Sequence, residues 1–393
     1  MSTPAVTTVT PTTVDELRDA VLAHPGTLRV AGAGTAADWA GTPAPADTVL
    51  DVTGLSGIVT HNPGDMTVEV RAGTPFAALQ DELAQHQQRV AVDPARATAG
   101  ATLGGLFATA DSGPRSLQYG SLRDLVIGAT VVLPDGTIAR SGGHVIKNVA
   151  GYDLTKVLHG AHGTLAVIAG LVLRLHPAPR STPTVAVPTD RAGMADLARR
   201  VADSPVEAVA VQWHADRLLC LFEGSPEGAD TRARKLVETV GGEVLAPDDA
   251  TAAWDAHDAA VRARPDGRAV LRLGVIPSAL PGVLDGLDSD IGGDAGGLTE
   301  VTASPRTGIA TLALPADADL VAAAHRRVAE AGGTSTLRQR PDGASLPAFG
   351  PAPASAVLLR AVAASLDPDQ RLGRGRLAPW IPLPTGQPTG VSA

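Results

Sequence analysis

The chain has 393 residues, 44% of them hydrophobic but only 3% aromatic, so two or three domains packed mainly with Val, Leu and Ala are expected. The formal net charge of −9 is modest and evenly spread, and no run of Lys or Arg marks a nucleic-acid or anionic-membrane surface. The single cysteine, Cys220, excludes an internal disulfide and a four-cysteine iron–sulfur cluster, so any electrons handled here need an organic carrier or a partner.

The first eleven residues are Thr-rich and lack the apolar stretch of a signal peptide. The longest apolar run, 165–173, is too short to span a bilayer, so a soluble cytoplasmic chain with no direct membrane insertion is expected. Residues 13–24 read as an amphipathic helix, with Thr13 and Glu16 at capping-box spacing and Val14, Leu17 and Val21 on one face. A strand over 27–30 runs into Gly32-Ala33-Gly34-Thr35, and further strands are expected at 48–52 and 67–72. Thr74-Pro75 reads as a helix opening, Thr as N-cap and Pro in first position, with Leu79 and Leu83 as the buried stripe.

Residues 94–120 carry Gly100, Gly104, Gly105, Gly113 and Gly120, a density that weakens regular structure. The stretch 102–110 is too apolar for a solvated loop, which points to backbone approaching something closely. A strand over 126–133, a turn at Pro134-Asp135-Gly136 and a partner over 137–140 follow, and 165–175 is a long apolar strand. Pro177-Ala178-Pro179 stops it, and a domain boundary is expected near 180. Beyond it, strands at 206–212, 218–223 and 269–276 alternate with helices at 231–240 and 317–331, the pattern of a small antiparallel sheet with helices on one side. A helix over 355–365 and a Gly/Arg segment at 371–376 precede a Pro/Thr/Gly-rich end that is expected to be disordered.

Gly32-Ala33-Gly34-Thr35-Ala36-Ala37 matches the G-x-G-x-x-G/A pattern of a dinucleotide-binding turn, and Asp51 follows about 20 residues on. That fold needs a helix directly after the glycines, with the pyrophosphate on its N-terminus. Gly41, Pro43 and Pro45 interrupt the chain where it would run. The residues alone leave two better readings open: a helix-free nest of backbone N–H groups for an anion, or a plain tight turn.

Four stretches, in order and spacing, resemble the FAD domain of the vanillyl-alcohol-oxidase superfamily, the PCMH-type FAD-binding family. They are Val30 to Thr35; Val68 to Thr74; Thr102-Leu103-Gly104-Gly105 through Asp111-Ser112-Gly113-Pro114-Arg115 to Tyr119-Gly120-Ser121 and Arg123-Asp124; and Gly163-Thr164-Leu165-Ala166-Val167-Ile168. Lys147-Asn148-Val149-Ala150-Gly151-Tyr152-Asp153-Leu154 looks like the signature of the D and E subunits of bacterial glycolate oxidase, and Gly113-Pro114-Arg115 favours the FAD-binding E subunit. The resemblance is strong over 12–180, weak over 367–380, and in the intervening cap rests on length and alternation. Ala166 replaces a common Gly, and Arg374-Gly375-Arg376 stands where many relatives have Asn-Pro-Gly-Arg.

The resemblance implies an α+β chain with a PCMH-type FAD-binding domain of two α/β subdomains over 1–180. A smaller α+β cap follows over 181–340, and a segment over 341–393 returns to the FAD domain. It implies FAD contacts at Ala31, Gly32, Ala33, Gly34, Thr35, Ala36, Thr98, Gly104, Gly105, Ala110, Asp111, Gly113, Gly120, Ser121, Gly163 and Ile168. The pyrophosphate is placed on the amides of 31–35, the isoalloxazine against the small residues Thr98, Gly104, Ala110 and Gly113, and the adenine by main-chain groups of Ile168. The loop holds no His or Cys and Cys220 falls in the cap, so noncovalent FAD is expected. The implied function is the FAD-binding subunit of a glycolate oxidase-type 2-hydroxy acid oxidoreductase, working with a second flavoprotein subunit and an iron–sulfur subunit. The alternative is a self-sufficient FAD-dependent alcohol or 2-hydroxy acid oxidase or dehydrogenase.

Oxidising a 2-hydroxy acid needs a base for the hydroxyl proton and a cation for the carboxylate. No histidine follows His325, and His214 and His257 are isolated. His159 and His162 are spaced to share a helix face, but two histidines without a third ligand make a poor metal site, and no metal is expected. Lys147, Tyr152 and Asp153 read equally as flavin or substrate contacts and as residues of a fixed loop. Trp39 and Trp380 read as flavin shields or as core, and no catalytic residue is assigned.

Overall fold

Thr13 begins the first helix, Val14–Ala23, by accepting the Glu16 amide on its hydroxyl at 3.1 Å. The Glu16 carboxylate reaches back to the amide and hydroxyl of Thr12, both at 2.8 Å, so the expected box closes one residue earlier than its spacing indicates. Leu17, Ala20 and Val21 are buried against Leu28, Leu50 and Val167. This helix links the strands Thr7–Val9 and Leu28–Ala31, which flank Thr48–Asp51 in a three-stranded parallel sheet. The structure, a computed structural model, describes residues 6–145, 152–262, 267–292, 298 and 300–383. The motif residues Lys147 to Gly151 and the expected disordered end beyond 383 lie outside the described residues.

A five-stranded antiparallel sheet packs beside the first, in the order Ile58–Asn62, Thr67–Arg71, Val167–Arg174, Val126–Val132, Ile138–Gly142. Val167–Arg174 is central and covered on both faces, which explains its unbroken apolar run. Val167 and Ala169 face the core of the first helix, whereas Leu171 and Leu173 face a second core with Phe76, Leu79, Leu103 and Phe107. Ile58–Asn62 escapes the sequence pattern because it is an edge strand with exposed Val59 and Thr60.

The helix after Pro75 runs Phe76–Ala84 and buries Leu79 and Leu83. Thr74 is not its cap, contrary to expectation. Its hydroxyl donates to the Arg71 carbonyl at 2.7 Å and accepts the Gly57 amide at 2.9 Å, tying the strand end to a neighbouring loop. The glycine-dense stretch folds into short helical turns, Ala97–Ala99, Leu103–Ala108, Ser116–Tyr119 and Leu122–Leu125. Close approach is real there: a Cβ on Gly104 would lie 2.8 Å from the Ala72 Cβ and 2.9 Å from its carbonyl oxygen.

Residues 184–339 build an eight-stranded antiparallel sheet, ordered Glu243–Val244, Thr184–Pro188, Arg217–Leu221, Ala210–His214, Val301–Ser304, Ile309–Leu314, Ala269–Gly274, Thr334–Gln339. The expected hairpin closes on Ala215 and Asp216, both left-handed, pairing Gln212 with Leu219. Helices Met194–Ala202, Pro226–Val240, Leu280–Ile291 and Ala318–Glu330 share one core with Val185, Val211, Leu271 and Leu312 on one sheet face. A fifth helix, Pro247–Val261, corrects the one-sided expectation. Its Ala253 and Trp254 pack on Ala186 and Leu219 of the opposite face, where alternate strand residues are also apolar and need cover.

The chain then returns. After helix Ala356–Leu366, the Arg371 guanidinium donates to the carbonyls of Val21, His24, Gly26 and Pro134. Leu28 donates to the Arg371 carbonyl at 2.7 Å and Gly373 to the Leu28 carbonyl at 3.0 Å, so Leu372 is buried beside the first sheet.

Candidate functional site

The strand Leu28–Ala31 ends in the glycine loop, and Gly34 adopts φ +75°, which its missing Cβ allows. Ala37 donates to the Gly34 carbonyl at 3.0 Å and Trp39 to the Ala36 carbonyl at 3.2 Å, so the chain turns, with no helix before Thr48–Asp51. That removes the helix-headed dinucleotide reading. Among the described residues, the amides of Ala33, Gly34, Thr35 and Ala36 find no acceptor. Successive unpaired N–H groups around a left-handed glycine form an anion nest. The nest opens into a cleft of about 490 Å³, walled opposite by Gly104 and Gly105, by Gly163 and Ile168, and by Arg376 of the returning segment. Gly32 has no room for a side chain, since a Cβ would lie 2.7 Å from Thr102 Oγ1.

Of the residues the sequence singles out, Ala31, Gly32, Ala33, Gly34, Thr35, Ala36, Gly104, Gly105, Gly163 and Ile168 line this one cleft. Thr98, Ala110, Asp111, Gly113, Gly120 and Ser121 do not. Thr98 is exposed and meets Arg262 of the cap helix at 3.1 Å. Ala110, left-handed at φ 51°, turns the chain away from the cleft wall, and Asp111 beyond it is buried in an ion pair with Arg338 of the cap at 2.9 Å. Gly113 packs on the Asp93 carbonyl and borders a separate, smaller chamber. Gly120 and Ser121 join two short helices, and Ser121 forms a capping box with Asp124.

The sequence reading misses the cations. Arg29, Arg96 and Arg376 line the cleft. Trp39 is neither a lone core residue nor an open shield. It is buried between two guanidinium groups, Arg338 at 3.8 Å and Arg96 at 4.3 Å from its ring centroid. Arg96 also donates to the Thr35 carbonyl, and Arg376 donates to those of Ala37 and Trp39 at 2.6 and 2.8 Å. Burial brings Arg96 and Arg376 each down to about 10. Asp111 Oδ2 and Trp39 Nε1 are buried without a hydrogen-bond partner among the described residues. The available signal for Arg338 was slight, a charge beside the one apolar residue, Leu337, of a strand otherwise made of Thr, Ser and Gln.

Among the described residues the two candidate histidines are not brought onto one face. His159 follows helix Thr155–Leu158 in extended conformation, while His162 is left-handed and lines the cleft, so the two share no helix face. Burial, with Arg376 and Arg338 nearby, lowers His162 to about 3 and keeps it neutral at physiological pH. Among the described residues no group of three or more His, Cys, Asp or Glu is placed to hold a metal ion. Trp380 stacks on Phe349 at 4.4 Å and donates to the Gly350 carbonyl, Tyr152 is exposed, and Asp153 accepts from Thr155 at 2.5 Å.

Residues 5–142 match the family model described as FAD binding domain. These residues are an FAD binding domain. The chain is 30% identical over 205 residues to glycolate oxidase subunit GlcE of Escherichia coli, covering 50% of this chain and 55% of that protein. It is 40% identical over 117 residues to a D-lactate dehydrogenase of Archaeoglobus fulgidus, covering 30% of this chain and 26% of the relative. It is 44% identical over 84 residues to glycolate oxidase subunit GlcD of Bacillus subtilis, covering 21% and 18%. The chain thus spans about half the length of the first of these relatives and about a quarter or less of the other two. A solved structure of alkyldihydroxyacetonephosphate synthase shares the fold at TM-score 0.66 and 15% identity, covering 93% of this chain and 76% of that one. The expected fold class holds: a PCMH-type FAD binding domain, an α+β cap and a C-terminal segment returning to the first lobe.

The residues present fit the dinucleotide. The FAD binding domain offers four unpaired amides for the two phosphates, and glycine walls that admit flat groups against backbone. Arg29, Arg96 and Arg376 of the lining outnumber its carboxylate residue Asp38, and Arg338 behind Trp39 is paired with Asp111.

Proposed function

We propose that this chain is the FAD-binding subunit of a glycolate oxidase-type 2-hydroxy acid oxidoreductase. Its electrons would pass to an iron–sulfur partner, with a second flavoprotein subunit completing the assembly. The cleft carries the reading: the amides of Ala33–Ala36 would hold the pyrophosphate, and Gly104, Gly105, Gly163 and Ile168 would admit the rest of the cofactor against backbone. FAD supplies reversible two-electron acceptance, and this chain's residues bind, orient and enclose it. The relatives named as glycolate oxidase subunits support the assembly, and the single cysteine is in keeping with a cluster held elsewhere. Among the described residues no helix is long and apolar enough to cross a membrane, in keeping with a cytoplasmic place beside partners.

A second reading, a flavoprotein that oxidises a 2-hydroxy acid alone, is favoured by the D-lactate dehydrogenase relatives. Anaerobic mixing of the purified yellow chain with glycolate or D-lactate separates the two. Subunit function predicts no bleaching of the flavin band until partners are added, and bleaching by the chain alone overturns it. Noncovalent binding predicts that acid denaturation releases intact FAD into the supernatant. Cys220 is buried in the cap core, where burial pushes its thiol up to about 12. Flavin that stays in the protein pellet would point to His162, the histidine that lines the cleft.

A further inference from the structure

At one edge of the cap sheet, two helices from opposite faces part. Strand Glu243–Val244 closes that edge with only two residues, paired with Ala186 and Val185 of strand Thr184–Pro188. Helix Pro226–Val240 packs into the core on one face, and helix Pro247–Val261 packs on the other. Both contribute walls to a groove of about 820 Å³, which Pro114 and Arg115 of the FAD lobe also border. Pro183, Leu245, Pro247 and Trp254 make its lining partly apolar. The Trp254 indole is fixed there, donating to Thr184 Oγ1 at 3.0 Å.

The backbone along this groove has room for a further strand. Ser181 exchanges hydrogen bonds with Gly224 at 3.1 and 3.2 Å, and Phe222 donates to the Pro183 carbonyl at 2.9 Å, so both residues bond toward the sheet. Alternate residues of an extended chain bond the other way. The Thr184 carbonyl accepts the Leu245 amide at 2.9 Å. Thr182 is exposed, lines the groove, and finds no backbone partner for its amide or carbonyl among the described residues. The chain that pairs beside Thr184 leaves that lane at once, because Pro247 opens the next helix. A sheet edge with unpaired groups is a template for an added strand.

Charge sets which strand fits. The charged residues of the groove are Asp93, Arg115, Asp230, Arg234, Asp255 and Asp258. Arg115 is engaged by Asp93 and by Glu223. Asp258 has the His257 ring at 3.1 Å. Among the described residues the side chains of Asp230, Arg234 and Asp255 form no ion pair or hydrogen bond. Three carboxylates therefore stand against the guanidinium of Arg234, and the surplus is negative.

We infer that this groove docks an extended, basic segment of a partner polypeptide. The backbone of the segment pairs with Thr182, its Lys or Arg heads reach Asp255 and Asp258, and their aliphatic stems lie on Trp254 and Leu245. The docking surface belongs to the edge of the cap, apart from the cofactor cleft, and stands whether or not flavin is bound.

Fluorescence anisotropy of a labelled acetyl-Lys-Val-Lys-Val-Lys peptide, titrated with the full chain, tests this. Saturable binding at low salt is expected, weakening as salt rises. Asp255→Asn with Asp258→Asn weakens it by at least about tenfold, the loss of charge-assisted contacts. Asp81→Asn with Glu82→Gln removes the same charge from exposed positions of helix Phe76–Ala84 and leaves binding unchanged. Asp255→Asn alone, at an exposed position, weakens binding a few-fold and keeps the test open if the Asp258 substitution disturbs the fold. A peptide N-methylated at its central Lys, which cannot donate to a sheet edge there, binds several-fold more weakly. Absence of saturable binding, or equal losses in the groove and control variants, overturns the site. Equal binding of the N-methylated peptide, or competition by spermidine as strong as by unlabelled peptide, overturns strand docking and leaves only diffuse attraction between a cation and an acidic surface.

Discussion

A methyl group on Gly32 would sit 2.7 Å from Thr102 Oγ1, and that hydroxyl caps helix Leu103–Ala108 through the Gly105 amide at 3.2 Å. Gly32→Ala therefore sets the nest against the cap of the facing wall. The expected cost is about 1 kcal/mol of stability, the worth of one N-cap, together with weaker FAD retention. Gly34→Ala reaches a similar cost by another route, since nothing lies within 4 Å of its Cβ but its backbone is left-handed. Thermal melting and fluorescence titration with FAD measure both, and a Gly32→Ala chain that binds FAD like wild type would show that the loop does not hold the phosphates. Asp111 and Arg338 pose a different problem, because each is almost fully buried. Arg338→Leu strands the carboxylate and is expected to lose about 3–5 kcal/mol, as is typical for breaking one side of a buried pair. Adding Asp111→Asn should recover much of that loss, and denaturant unfolding of the single and double variants reads the difference.

At the scale of elements, the cap is clasped to the FAD lobe by Glu223, which follows strand Arg217–Leu221. Its carboxylate accepts from Arg89 at 2.9 Å, from Arg115 at 2.5 Å and from the Tyr119 hydroxyl at 2.9 Å. Burial alone would raise this carboxyl, but bonds and charge from Arg89 and Arg115 outweigh it and hold it at about 2. Its folded pKa lies below the ordinary value of 4.5, so its contribution is complete above pH 4.5 and is lost as pH falls toward 2. That contribution is on the order of 3 kcal/mol. Asp93 acts in the opposite sense. Burial raises it to about 6, so protonating it between pH 6 and 4 relieves a cost. Unfolding measured against pH should hold or rise slightly from 6 to 4.5 and then fall below 4.5, and Glu223→Gln should flatten that fall. A variant with the wild-type acid limb would remove Glu223 from the account.

These elements also show what the sequence could reveal. Strand Val167–Arg174, helix Val14–Ala23 and the glycine loop were legible because periodicity and caps are local signals. Edge strand Ile58–Asn62 and the outer-face helix Pro247–Val261 were not, because the first has a polar exposed pattern and the second buries mainly Ala253 and His257. The cleft glycines could be named in advance, and Trp39 as a shield or core residue, whereas Arg96 and Arg338 could not. Their meaning arises only when residues separated by 61 and 227 positions come together, as Arg96 with Thr35 and Arg338 with Asp111 do.

The whole molecule carries more acidic than basic residues, 41 against 32, yet Arg29, Arg96 and Arg376 converge on the cleft, with Arg338 stacked behind Trp39. Arg29 is exposed, as is Asp38 of the same lining, but Arg96 and Arg338 are buried with Asp111 as their near counter-charge, and buried like charges repel and lose hydration unless an anion offsets them. FAD binding should relieve that cost across both lobes, since Arg338 belongs to the cap sheet while Arg96 and Trp39 belong to the FAD lobe. Stripping the cofactor should therefore lower the melting temperature and loosen cap docking as well as the nest. The effect should be reversible: FAD at about 100 times its Kd adds roughly 2.7 kcal/mol to the folded state by mass action. Calorimetry of the stripped chain should show an earlier transition that free FAD moves upward, and limited proteolysis should show cleavage near 180 that FAD suppresses. AMP, which carries one phosphate and no flavin, should restore little. A melting temperature indifferent to FAD would mean that the arginines are balanced by something other than the dinucleotide.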